Sequence, residues 1–144
     1  MHNDRLNRLY EAAIEAATAL LEKNGSFFPI LFEMRPPGTI TSVAVLDMRQ
    51  TRPGADVVEN YVELMRERAA AGMISASAIV VDLASAISGG STPVAAISVR
   101  LRALEHALDI TVPYRMERSG IIKRKRIVAL DTPRSQAVEI DVFM

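Results

Sequence analysis

From Ala96 to Met116 apolar and polar residues alternate almost without a break, and no other stretch so narrows the folds open to this chain. Ile97, Val99 and Leu101 share one parity, with Ser98, Arg100 and Arg102 between them. After Glu105-His106, the set Leu108, Ile110, Val112, Tyr114 and Met116 alternates with Asp109, Thr111, Pro113 and Arg115. Successive side chains on a strand point to opposite faces, so each run reads as a strand with one buried and one wet face. Joined by so short a connection, the two runs read as an antiparallel hairpin. Arg100 and Arg115 are expected opposite Val99, Leu101, Val112 and Tyr114, because a one-residue slip would send the whole apolar set into water.

Around this hairpin the remaining elements fall into place. Between Asp4 and Asn24, Leu6, Leu9, Tyr10, Ala13, Ala17, Leu20 and Leu21 recur at three- and four-residue steps, the stripe of an amphipathic helix that Gly25 should end. Phe27–Met34 and Ile40–Met48 flank the turn signal Pro36-Pro37-Gly38 and predict a second hairpin, with Pro29 at a strand start or edge. Arg49–Gly54 reads as a loop. Asp56 suits an N-cap with Glu59 three residues on, and Val58, Tyr61, Val62, Met65 and Ala69 give a second helix that stops at Gly72. Ser75–Ile87 reads as a strand buried on both faces, followed by the loop Ser88–Pro93. Ile121–Leu130 and Ala137–Phe143 are two further strand candidates, separated by Asp131–Arg134. The order α-β-β-α-β-β-β-β-β predicts a single α+β domain over residues 1–144: a two-layer sandwich, mainly antiparallel, with the two helices covering one face of the sheet.

Composition bounds the chemistry. The 144 residues can bury a core without metal or disulfide staples, and with no cysteine there is neither thiol catalysis nor a thiolate metal site. Seventeen basic residues balance seventeen acidic ones, which argues against bulk attraction to nucleic acid or an anionic membrane. Aromatics make up only 5%, with no tryptophan, so stacking platforms for bases are scarce. No apolar run is long enough to span a membrane. The opening Met-His-Asn-Asp-Arg leads straight into a helix without the layout of a secretory signal, and a cytoplasmic location is expected.

Charge is nevertheless uneven. Ala96–Arg134 holds nine basic residues against four acids. Arg100, Arg102, Tyr114, Arg115, Lys123 and Lys125 are the candidate binding residues, an anion-binding sheet face by one reading. By another they are a solvated face that also protects sheet edges from aggregation. Within Lys123-Arg124-Lys125-Arg126, alternation sends Lys123 and Lys125 to one face and Arg124 and Arg126 to the other, so the run belongs at an edge. Glu33, Asp47 and Asp82 are acids inside predicted strands, where a charge needs a partner or open water. His106, at the hairpin turn after Glu105, is the one histidine away from the terminus, and no two-histidine metal spacing exists. Ser88-Gly89-Gly90-Ser91 lacks the lysine of a phosphate loop.

Three segments, Leu-Leu-Glu-Lys-Asn-Gly-Ser-Phe-Phe-Pro (20–29), Ala-Ile-Val-Val-Asp (78–82) and Ala-Ile-Ser-Val-Arg-Leu (96–101) leading into Ile-Thr-Val-Pro-Tyr-Arg (110–115), resemble a family of small uncharacterised bacterial α+β proteins. That resemblance spans roughly residues 5–116, implies a compact α+β domain of bacterial origin, and brings no catalytic residues with it. The expected function is non-catalytic: a protein-interaction or small-ligand-binding domain, homodimeric, with an unidentified protein or an anionic ligand as partner and with no cofactor or metal. Two alternatives stand beside it. One is a metal-dependent hydrolase-like enzyme using Asp47, Asp82, Glu105 and His106; the other is a nucleic-acid binder through Lys123–Arg126.

Overall fold

The computed structural model describes residues 2–45, 57–83, 95–104, 106–119, 125–139 and 141–143. Helix α1 (His2–Asn24) is followed by β1 (Ile30–Arg35), β2 (Thr39–Val45), α2 (Val57–Ala70), β3 (Ala76–Asp82), β4 (Ala96–Ala103), β5 (Ala107–Ser119), β6 (Lys125–Leu130) and β7 (Arg134–Ala137). The class is α+β in the expected order. All pairings are antiparallel, and the sheet runs β2-β1-β3-β4-β5-β6, with β7 also on β5.

The apolar parity of the central strands builds the core. Val99 on β4 and Val112 on β5 are buried, and with Leu101 and Tyr114 they pack in one cluster with Leu9, Ala13, Ala17 and Leu21 of α1. Arg100 is half-buried on the other parity and Arg115 is exposed, so the register is the one the alternation dictates. Gly25 takes φ 84° just past α1 and its amide donates to the Leu21 carbonyl at 2.7 Å, the left-handed stop its position called for.

The helices do not share a face. Ile30, Phe32 and Met34 of β1 and Ala78 and Val80 of β3 meet α1, whereas Leu31 and Ile79, of opposite parity, pack with Tyr61 and Met65 of α2. The expectation of both helices on one face is corrected, for a plain reason. Ile30-Leu31-Phe32 and Ile79-Val80-Val81 are apolar on both parities, and such strands need cover on both sides. α1 and the sheet form the main sandwich, and α2 lies across the back.

The last strand is also displaced from its expected position. The strand expected at Ala137–Phe143 forms instead at 134–137, from the last residue of the expected loop to the first of the expected strand, while 141–143 leave the sheet. Tyr114 faces Leu130 and Thr111 faces Arg134, so three residues (Asp131, Thr132 and Pro133) stand opposite two (Val112 and Pro113). The interruption falls where Pro113 and Pro133 have no N–H to give to a ladder. Beyond it the chain continues along the same edge of β5, pairing Ser135 with Ile110 and Ala137 with Leu108. The N-terminal part of the expected strand 121–130 and the C-terminal part of 75–87 lie outside the described residues. So do the loops at 49–54 and 88–93, the Asp56 cap, and Asp47, Glu105, Lys123 and Arg124.

Replacing fully buried Leu9 with alanine is expected to lower the unfolding free energy by ~2–5 kcal/mol, whereas Leu104→Ala, at a site 70% exposed, should stay within ~0.5 kcal/mol. Urea denaturation followed by circular dichroism measures both.

Candidate functional site

On the α2 side, the sheet carries a row of polar residues that neighbouring strands bring into register. Glu33 on β1 pairs with Ser77 on β3, and Ser77 pairs with Arg102 on β4. Laterally paired residues share a face, so the three lie in line, with Glu33 and Arg102 about 10 Å apart across two strand spacings.

Each end of the row ties down a separate segment. Glu33 is only 1% exposed; its carboxylate accepts from Arg68 of α2 at 3.1 Å and from Arg35 at 2.9 Å. A charge this deeply buried persists only with such partners, and here the partner fixes α2 to the sheet. Arg102, also buried, donates through Nε to Asp141 Oδ1 at 2.7 Å and through Nη1 to Asp109 Oδ1 at 2.9 Å. The same Nη1 reaches the carbonyls of Leu101 and Leu108 at 3.0 and 3.1 Å. Arg66 of α2 donates to the Asp141 carbonyl at 2.9 Å. Held at Oδ1 and at its backbone carbonyl, Asp141 places Val142 in the buried cluster with Leu31, Tyr61, Met65 and Ile79, with Phe143 packed against it. A cavity of about 100 Å³ remains beside this segment, lined by Arg66, Ala69, Ala70, Leu104, Val142 and Phe143. Between the two ion clusters, the buried Ser77 Oγ has no hydrogen-bond partner among the described residues.

The opposite face holds a second buried acid. Asp82 accepts from the Tyr114 hydroxyl at 3.0 Å and from the Phe27 amide at 3.4 Å, pinning the segment after α1 to the end of β3. Burial raises the Tyr114 pKa well above the usual phenol range, and the charge and hydrogen bond of Asp82 raise it further. Tyr61, whose hydroxyl donates to the Pro29 carbonyl at 3.1 Å, is likewise raised by burial.

The sequence-predicted site residues are therefore dispersed. Arg102 sits at the β4–β5 turn and Tyr114 on the α1 face. Arg115 is eight residues along β5 from the partner of Arg102, some 26 Å at the strand rise. Arg100 lies on the α2 side opposite Asp109. Lys125 opens β6. Its neighbour Arg126 donates to the carbonyls of Glu22 and Lys23 at 3.3 and 2.9 Å, capping the C-terminal end of α1, where a cation also suits the helix dipole. Asp82 and His106 do not converge. The pairs Ala76–Ala103 and Asp82–Ile97 set them at opposite ends of β3 and β4, about 20 Å apart along the strands. Exposed His106 closes the turn with Ala103, and among the described residues no three His, Cys, Asp or Glu side chains gather as metal ligands.

Glu33 and Asp82 were detectable as lone acids in apolar strands. Arg66, Arg68 and Asp141 carried no such sign, because arginines on a helix and an acid between Ile140 and Val142 look like ordinary wet-face residues. Comparison with protein-family models, with curated proteins and with solved structures finds no match, and the functional reading rests on this geometry.

Because the Tyr114 pKa is raised in the folded state, the unfolded chain ionises first, near pH 10. The Tyr114 contribution is complete below that pH and lost as pH rises through the folded value. Absorbance at 295 nm should show tyrosinate from Tyr114 forming only with unfolding in alkali. Asp82→Asn, which removes the charge but keeps an acceptor, should bring that transition to lower pH.

Proposed function

We propose that this protein is a non-catalytic interaction domain that works as a homodimer, joined through the ribbon formed by the far halves of β5 and β6. The supporting observation is that ribbon. β4 ends its pairing with β5 at Pro113, and from Tyr114 to Ser119 β5 pairs with β6. Ile127 (43% exposed) stands out on its face away from α1, whereas Met116 and Leu130 lie on the side of Tyr114 and Val128. α1 covers one face of this ribbon through Val128 and Arg126, so its other face, with exposed Ile127, is the one left for a partner.

Charge pattern supports a second copy as that partner. On the face opposite Tyr114, the cross-strand pairs are Arg115–Ala129 and Glu117–Ile127. Two such faces apposed about a two-fold axis set Arg115 of each copy against Glu117 of the other, around a centre of Ile127 and Ala129, and an isologous contact requires such self-complementarity. Edge-to-edge strand pairing is disfavoured, because the outward Val128 amide is already taken by the Glu22 carboxylate at 3.0 Å. The non-catalytic reading draws on the same economy of charge: Glu33, Asp82, Arg102 and Arg126 hold segments of the chain against one another.

Light scattering at micromolar concentration should give about twice the 15.8 kDa chain mass. Arg115→Glu and Glu117→Arg should each shift the mass toward monomer, and the double exchange should restore it. A monomeric mass for the unaltered chain at ~100 μM, a concentration well above the usual range for stable dimers, would overturn the proposal.

A further inference from the structure

We infer that residues 141–143 are a built-in occupant of a peptide-binding groove between α2 and the β4–β5 turn, and that this groove takes an extended segment of another protein carrying a carboxylate, then an aliphatic residue, then an aromatic one. The groove lies at the other end of β5 from the ribbon, so the inference is independent of how the chain dimerises.

Three observations carry it. First, the segment is held as a ligand is held and not as a strand. It lies outside the ladder, fixed by Arg66 on its backbone carbonyl, Arg102 on its carboxylate and the burial of Val142. One cation on the carboxylate and one on the backbone carbonyl of the same residue, beside an apolar slot, make a recognition pattern with a definite chemical complement. Second, the charged side of the groove stays paired without the segment. When Asp141 leaves, Arg102 still has Asp109 and the carbonyls of Leu101 and Leu108, so no buried charge is orphaned and the groove need not collapse. Third, the segment underfills its groove. About 100 Å³ stays open between Val142, Phe143 and Leu104, and Leu104 is largely exposed at the rim. A bulkier side chain in this solvent-open gap would remove more apolar surface from water. A segment of the same charge pattern with a larger aliphatic residue has both anchors and more contact area.

A tethered occupant competes at an effective concentration near the millimolar range, so the closed groove should weaken binding from outside by tenfold or more. The probe is a fluorescent peptide with the sequence of residues 138–144, Val-Glu-Ile-Asp-Val-Phe-Met. It is titrated by polarisation into the full chain and into the full chain carrying Asp141→Asn and Val142→Ala, with circular dichroism confirming the fold. The altered chain should bind at least tenfold more tightly than the natural one, and a peptide with Asn in place of its Asp should lose tenfold or more on the same protein. Equal affinity of both chains, an Asn peptide that binds as well as the Asp peptide, or no binding by the folded altered chain would each overturn the inference. So would exchange of the segment between two copies, seen as a dimer that survives Arg115→Glu but is dissociated by Asp141→Asn with Val142→Ala. If the altered chain does not fold, the natural chain decides. At excess peptide, the backbone amide signals of Val142 and Phe143 should move to the positions of a free, disordered segment, and signals that stay unchanged would overturn it.

Discussion

Parity on the strands β3, β4 and β5 is the constraint from which the other features follow. Val80, Val99, Val112 and their neighbours point to α1, and a shift of one residue in any of these strands would invert every side chain on it. Each large aliphatic group so exposed would forfeit ~1.5–3 kcal/mol. With that register fixed, Glu33, Ser77 and Arg102 must fall in line on the far face, whether or not a partner awaits them. The polar row is thus a geometric consequence of the core, and the chain answers it with arginines on α2 and acids from β5 and residue 141.

Charges inside this protein act as ties between segments distant in sequence. Glu33 holds α2, Asp82 holds the connection after α1, Arg102 holds residue 141, and Arg126 holds the end of α1 against β6. Apolar packing alone would accept several orientations of a helix on an aliphatic sheet. A buried carboxylate with a single set of donors accepts few, because any other leaves an uncompensated charge. With few aromatics in the chain and no tryptophan, these ion pairs supply orientation that shape would otherwise provide.

Pro113 and Pro133 mark where one edge of β5 changes partner, from β6 to β7. β5 spans thirteen residues, and its far half reaches past β4 as a ribbon. The molecule consequently has two ends of different character, one an arm with exposed Met116 and Ile127, the other a groove filled by residues 141–143.

The hairpin of β4 and β5, the amphipathic α1 with its stop at Gly25, the antiparallel α+β class and the element order are all written locally, as period-two and period-3.6 patterns and turn residues within a dozen positions of one another. The uninterrupted apolar triplets in β1 and β3 also carried the sign that both sheet faces are covered, although only the structure places α2 on the second face. What the sequence could not decide is which charges meet. Arg68 and Glu33 are thirty-five residues apart and Arg102 and Asp141 thirty-nine, and nothing in either neighbourhood distinguishes these arginines from solvated ones. The end of the chain shows the same limit. Ala137–Phe143 has strand propensity, but strand pairing depends on a free edge, and the free edge of β5 lies opposite residues 134–137. Sequence determined the elements and their apolar faces, because those are properties of neighbours along the chain; tertiary structure decided the ties, the edge pairing and the groove, because those depend on which surfaces are left unpaired once the core has closed.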